Sequence, residues 1–263
     1  MSKPVSSQKE KQVAYPSRIS RRRLLSSVSA LGGLLVTGGC SDALMPPTLR
    51  GGLIGVADVL TMSTNRWLLA DQPLAREYQP SDITIDFPQW HGPPRSEEYQ
   101  QLVSGQFSDW RLGVTGLVKQ PLSLSLQDLK RLPARTQITS HVCEQGWSAI
   151  GQWTGTPLLR VIEAAGGVTS SARYVVIDTF DGWYEGYDMF EVVHPQTILA
   201  YGLNGEDLPI GNGAPVRLRV ERQCGYKSLK WLKSIQVVDS MVGFGKGTGG
   251  INSDWGFHWY GGV

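Results

Sequence analysis

Cys143 stands in the run His141-Val142-Cys143-Glu144-Gln145-Gly146-Trp147-Ser148, with no second cysteine near it in sequence. A disulfide needs a partner, and a protein zinc site needs three or four ligands. A lone thiol between a histidine and a Gly-Trp-Ser turn can instead be one soft ligand to a metal whose other ligands arrive with a carrier. As a nucleophile it could draw on His141. Residues two apart on a strand share a face, however, which places the imidazole awkwardly for taking the proton. As a structural filler it would sit among apolar side chains, yet Glu144, Gln145 and Ser148 are polar. Cys224 could close a disulfide with it in an oxidising compartment and remove the thiolate. Otherwise Cys224 is a packing residue.

A second segment with chemical potential runs from Asn212-Gly213-Ala214-Pro215-Val216-Arg217 to Gly225-Tyr226-Lys227-Ser228-Leu229-Lys230-Trp231. On a strand, Arg217 and Arg219 point to one face, and Arg222, Lys227, Lys230 and Lys233 follow. Such residues usually form a solvated basic edge. Here Gly211, Gly213 and Gly225 permit close backbone approach, and an arginine fork suits bidentate capture of phosphate. One soft ligand plus one anion cradle is the chemistry of a metal on an anionic carrier. The stretch Asp178-Thr179-Phe180-Asp181-Gly182-Trp183-Tyr184-Glu185-Gly186-Tyr187-Asp188 reads as a surface turn or as a pocket wall. In the second reading Thr179 is a polar contact, and Trp183, Tyr184 and Tyr187 shape access. His194 reads as structural.

The elements that must carry these residues are short. Strands are expected at Trp110–Val118, Pro121–Leu126, Thr136–Cys143, Tyr174–Thr179, Val216–Val220 and Ser234–Val238, from alternating apolar positions. A helix should begin at Ser125, and another should run from Pro157 to Ala165, stopped by Gly166-Gly167. An amphipathic helical segment is expected at Leu53–Leu69. Ile83–Pro94 should be extended and then irregular. Short strands mixed with short helices, without βαβ regularity, indicate a loop-rich α+β fold with mixed β-sheets.

Ser20-Arg21-Arg22-Arg23-Leu24-Leu25, followed by the uncharged run Ser26–Gly39, has the form of a twin-arginine export signal rather than a membrane anchor. That route carries folded cargo, which often holds a cofactor. Cys40 closes a box that resembles a lipoprotein cleavage site, with Thr37 where leucine is usual. The expected organisation is an export signal over 1–40, a linker or wrapping arm over 41–80, and one domain over 81–263. Residues 1–39 hold seven of the 25 basic residues and one of the 23 acids, leaving 18 against 22 and a net charge of −4 over 40–263. That balance argues against a nucleic-acid binder. A periplasmic location follows, with lipid attachment at Cys40 as an option.

Five motifs occur in one order: Cys143-x-x-Gly146-Trp147-Ser148-x4-Trp153-x-Gly155, His194-Pro195-x-Thr197-Ile198-Leu199-Ala200, Asn204-Gly205-x-x-Leu208-Pro209, Asn212-Gly213-Ala214-Pro215-Val216-Arg217-Leu218 and Gly225-Tyr226-Lys227-Ser228-Leu229-Lys230-Trp231. With them the chain resembles the molybdopterin-binding domain of the sulfite oxidase family, over roughly residues 80–240. Within it, the chain is most similar to the exported bacterial branch that includes periplasmic methionine-sulfoxide reductase. The resemblance implies a molybdenum on a single pterin dithiolene, with Cys143 as its one protein ligand. It implies pterin or phosphate contacts from Thr179, Asn212 and Arg217, with the backbone of Ser228, Leu229 and Lys230 closing the cradle. Where the family usually has an asparagine, this chain has Phe87-Pro88-Gln89-Trp90-His91-Gly92, and His91 is the substitute.

About twenty residues follow the last shared strand, so neither a haem domain nor a dimerisation domain is expected. A monomer served by an external electron partner is, either a membrane haem or quinone protein or a soluble cytochrome. The implied activity is oxygen-atom transfer to or from a small sulfur-containing substrate, S-oxide reduction or sulfite oxidation, with His141, Asp181 and Trp183 orienting substrate. The readings that compete with it are a cysteine-nucleophile hydrolase or transpeptidase using Cys143, and a metal-free binding protein on the same fold.

Overall fold

The structure, a computed structural model, describes residues 53–263. The export signal, Cys40 and the first part of the arm lie outside the described residues. Ten strands form two sheets, one mixed and one, against the expectation of mixed sheets throughout, wholly antiparallel. One has the order β2 (Leu122–Leu124), β1 (Leu112–Gly116), β10 (Leu232–Val238), β5 (Tyr174–Thr179), β6 (Tyr184–Asp188). In the other β3 (Arg135–Val142), β4 (Ser148–Pro157), β7 (Ile198–Leu203) and β8 (Glu206–Asp207) are neighbours, and β9 (Arg217–Arg219) pairs with β7. Only β1 and β10 pair in parallel; every other pairing is antiparallel. The helices are α1 (Leu53–Leu68), α2 (Glu97–Ser104), α3 (Leu126–Arg131), α4 (Leu158–Ala164), α5 (Met189–Val192) and α6 (Ile251–Trp255). Among the described residues no helix is long and apolar enough to cross a membrane. This is the expected α+β fold.

The main core joins both sheets through Val114, Val175, Ile177, Ile235, Leu199 and Leu218, with Leu158 and Val161 of α4. Because the pleat alternates, Val176 between Val175 and Ile177 faces the other way. There it meets Met241, Trp259, Tyr260 and Met62 of α1, so α1 and the C-terminal segment cover the back of the first sheet. Arg66 fixes α1 to Asp188 (2.6 Å) and Glu191 (2.9 Å).

Most expected elements are present within a residue or two of their anticipated ends. Ser125 caps α3 with a reciprocal Asp128 bond, the capping box that its spacing predicts. Strands β4, β6, β7 and β8 and helices α2, α5 and α6 were not anticipated. Residues 184–188 are a strand rather than part of a loop. This corrects the pocket-wall reading of two aromatics: Tyr187 points into the core and donates to the Lys227 carbonyl (2.7 Å), and Tyr184 donates to Asp254 (3.0 Å).

Candidate active site

The end of β3 delivers the thiol. Cys143 leaves the strand into a turn in which its N–H donates to the Trp147 carbonyl (2.9 Å) and Gly146 N–H donates back to its own carbonyl (3.1 Å). The side chain is buried and unpaired to any cysteine, and Cys224 is likewise free. The Cys143 thiol lies 3.7 Å from the Glu144 carboxylate. Burial and Glu144 push it above the ordinary thiol range, against a lowering hydrogen bond from the Gln145 backbone.

A cavity of about 360 Å³ opens on this thiol. All ten residues expected at the site line it: His91, His141, Cys143, Thr179, Asp181, Asn212, Arg217, Ser228, Leu229 and Lys230. Trp183 also lines it, whereas Tyr184 and Tyr187 do not. Residues without an expected role there are Trp90, Trp147, Tyr226 and, from the C-terminal segment, Asn252, Trp255 and Phe257. The last three arrive from a segment with no motif.

Few of the cations form the cradle. Arg219 pairs with Glu221 (2.6 Å), Arg222 with Glu191 (3.0 Å), Lys227 with Glu185 (2.8 Å) and Lys233 with Glu98 (2.7 Å). Arg217 and Lys230 bond only to backbone carbonyls: Arg217 to Asn212 (3.0 Å) and Ser228 (2.9 Å), Lys230 to Trp90, His91 (3.0 Å) and Gly211 (3.1 Å). Both are therefore positive charges without a carboxylate bonded to them, facing the cavity. The Arg217 Nε is buried with no partner. Burial and the Arg217 guanidinium pull the Lys230 ammonium down to about 7. Gly213 makes the pair possible. At φ 115° it turns the chain, and a Cβ there would stand 3.0 Å from the Cβ atoms of both Arg217 and Lys230. Trp153 is the platform on the other side, its ring 5.0 Å from the Arg217 guanidinium carbon and 4.4 Å from that of Arg219.

Two expected contacts turn out to be structural clamps as well. Asn212 donates through Nδ2 to the Pro88 carbonyl (3.2 Å), and Lys230 holds the carbonyls of Trp90 and His91. Together they strap the 88–91 loop over the cavity. That loop holds His91 at φ 65°, with its Nε2 3.7 Å from Asp181 Oδ2. Thr179 accepts from the Trp183 N–H (3.0 Å) and donates to Asp181, so its hydroxyl orients the turn that carries both.

His141 is buried, and Arg219 Nη1 sits 2.5 Å from its Nδ1. An arginine can only donate, so Nδ1 is the acceptor and the imidazole proton is on Nε2. Burial, Arg219, Arg217 and Lys230 all push its pKa down, far below the ordinary histidine range. His141 is thus a neutral N–H donor, which removes it as the base of a Cys143 nucleophile. Gly225 packs against it, with a Cβ there falling 2.8 Å from Nε2.

These donors fit a metal carried on an anion. Among the described residues no group of three His, Cys, Asp or Glu could hold a metal alone. The cavity instead offers one free thiol, two cations without bonded carboxylates and an orphaned buried N–H at Arg217. A family model described as "Oxidoreductase molybdopterin binding domain" matches residues 100–243. YedZ1 of Azospira oryzae, provisionally named a protein-methionine-sulfoxide reductase subunit, is 32% identical over 245 residues, 92% of this chain and 88% of that protein. The protein-methionine-sulfoxide reductase catalytic subunit MsrP of Xanthomonas campestris pv. campestris is 31% identical over 239 residues, 84% of this chain and 70% of that one. The crystal structure of the sulfane dehydrogenase SoxCD from Paracoccus pantotrophus is 26% identical, covering 50% of this chain and 39% of that chain with a TM-score of 0.47.

Proposed function

Since the chain belongs to the oxidoreductase molybdopterin binding domain family and is thereby an oxidoreductase using a molybdenum-molybdopterin cofactor, we propose that it is exported and reduces S-oxides of small thioether compounds. The observation that carries this reading is the charge around the thiol. The two cations without bonded carboxylates are held by backbone carbonyls, while the Cys143 thiol has the Glu144 carboxylate 3.7 Å away and the cavity it opens on is lined by Trp90, Trp147, Trp183 and Trp255. Sulfite is an anion and would meet an acid and apolar rings there, at a cost in desolvation and repulsion. A sulfoxide is neutral and dipolar, and it needs an apolar wall plus a donor for its oxygen. The names of the relatives, as methionine-sulfoxide reductases, support the same direction.

When bound, molybdenum on its pterin supplies two-electron oxygen-atom transfer. Cys143 contributes the thiolate that ligates it. Arg217 and Lys230, with the backbone of Ser228 and Leu229, balance the cofactor's anionic group, and Asn212 and Thr179 hold the loops around it. His141 offers Nε2–H to the substrate oxygen from a fixed, neutral ring. Reduction breaks the S–O bond and consumes two electrons and two protons to yield thioether and water. Asp181 accepts from the Thr179 hydroxyl and faces the His91 imidazole across 3.7 Å, which ties the turn after β5 to the 88–91 loop at the cavity. The electrons come from an external partner, a membrane haem or quinone protein or a soluble cytochrome. Export follows the twin-arginine signal into the periplasm, with Cys40 as a lipidation site, and 81–263 acts as one catalytic domain behind the 41–80 arm.

The test is metal and pterin analysis of the exported protein, followed by paired assays. These are S-oxide reduction with a reduced viologen dye and sulfite oxidation with ferricyanide. About one molybdenum and one pterin per chain, S-oxide turnover and negligible sulfite turnover are expected. A Cys143→Ser variant that kept both molybdenum and activity would overturn the thiolate assignment. Faster sulfite oxidation would overturn the substrate.

A further inference from the structure

The C-terminal segment lies beyond the residues matched by the family model, which end at 243, yet Asn252, Trp255 and Phe257 line the cavity that holds Cys143. Its position is firmly set. Glu185 on β6 is fully buried and accepts from the Asn252 N–H (3.0 Å) and from Asn252 Nδ2 (2.7 Å), while its other oxygen pairs with Lys227. Asp254 accepts from the Tyr184 hydroxyl (3.0 Å), and Trp259 and Tyr260 are buried further on. The short helix α6 is thus pinned on both sides of the residues that face the cavity.

Those residues complete two aromatic pairs. Trp255 meets Trp183 edge-on with ring centroids 5.0 Å apart, and Phe257 meets Tyr226 at 5.2 Å. In each pair one ring belongs to the matched domain and the other to the C-terminal segment. Trp255 is 63% exposed, so a large apolar ring faces solvent at the edge of the cavity that Phe257 also lines. Exposed apolar surface next to a cavity marks a place where another apolar group binds. Aromatic faces also suit a sulfur atom and its attached carbons.

We propose that residues 251–257 form the substrate-side wall of the site. Trp255 and Phe257, with Trp183 and Tyr226, select neutral S-oxides bearing a bulky apolar group on one side of the sulfur, such as alkyl aryl sulfoxides. This deepens the reading under Proposed function and rests on it. The wall binds the apolar arm; bond breaking, the two electrons and the two protons are those already described.

The experiment uses molybdenum-loaded Trp255→Ala and Phe257→Ala, with Trp255→Phe as the conservative variant. Methyl p-tolyl sulfoxide is compared with dimethyl sulfoxide, which has no bulky arm. A second readout is calorimetric binding of methyl p-tolyl sulfide, the product thioether, to the oxidised holoenzyme. The alanine variants should raise KM for the aryl substrate, and Kd for the aryl thioether, by about tenfold, leaving kcat and the dimethyl sulfoxide KM within about twofold. Trp255→Phe should restore most of the loss, and molybdenum content should be unchanged. Equal rises in both KM values, loss of molybdenum, or no change at all would overturn the wall. If the wild type reduces neither S-oxide, the proposed activity fails, while the calorimetric comparison of wild type and variants still decides the wall.

Discussion

Replacing Glu185 with glutamine should destabilise the protein far more than one hydrogen bond would suggest. Glu185 and Lys227 are 0% and 1% exposed, and their charged atoms lie 2.8 Å apart. At an effective dielectric constant near 20 that separation corresponds to about 6 kcal/mol of attraction. Breaking such a pair from one side leaves a buried charge and costs about 3–5 kcal/mol. Lys227 keeps the Gly186 carbonyl (3.1 Å) and lies 4.8 Å and 5.3 Å from the Tyr187 and Trp259 ring centroids, so the cost should fall near the low end. A loss of about 3 kcal/mol lowers the thermal midpoint by about 6–12 °C for a domain of this size. Glu185→Gln, Lys227→Met and the double variant are compared by thermal and urea unfolding. Removing both charges should cost at least about 2 kcal/mol less than the sum of the single changes, because neither buried charge is then stranded. A single cost below about 1 kcal/mol, or strict additivity, would refute the reasoning. Since Glu185 also holds Asn252, the single variant should weaken aryl sulfoxide affinity while retaining molybdenum.

Arg217→Met should leave a folded protein whose cofactor-free form binds pyrophosphate at least about tenfold more weakly, read by calorimetry, because charge-assisted bonds to an anion contribute about 1.5–3 kcal/mol. Lys230 gives that binding a pH dependence. Its pKa, about 7 beside the Arg217 guanidinium, must rise when an anion offsets that charge, so binding takes up a proton above that pH. Measured with sulfate, whose charge is fixed over this range, affinity should be flat below pH 7 and fall as pH rises above it, by up to tenfold per unit, and Lys230→Met should abolish the slope. Ser125→Ala removes the α3 cap far from the cavity and should cost about 1 kcal/mol without changing pyrophosphate affinity, seen as a shifted urea midpoint alone.

Local chemistry was legible because it depends on near neighbours. The α3 start at Ser125 follows from a capping box three residues long, and β5 follows from the bounded run at Tyr174–Thr179. The spacing of Arg217 and Arg219 places both over Trp153, as strand alternation requires. Strand β4 was not legible: its Gly151 and Gly155, with buried Thr156, break the pattern by which a half-buried strand is read, and it lies between two partners. Strand β6 was missed because it places Glu185 and Gly186 inside, and a buried acid makes sense only once Lys227 arrives from 42 residues away.

The sequence alone pointed to Cys143 and a cation-rich glycine segment as parts of one site, and through its ordered motifs it identified the family; that the thiol is free and not bridged to Cys224 is a tertiary fact. Only the tertiary structure decided which cations serve that site. Arg222, Lys227 and Lys233 are claimed by carboxylates from distant segments and Arg219 by Glu221 two residues on, leaving Arg217 and Lys230 as the cavity cations without one. It also brought Trp255 and Phe257 to the cavity. The physical reason is range: residue type and period act over a few positions, whereas ion pairing and cavity lining depend on contacts that close only when distant segments pack.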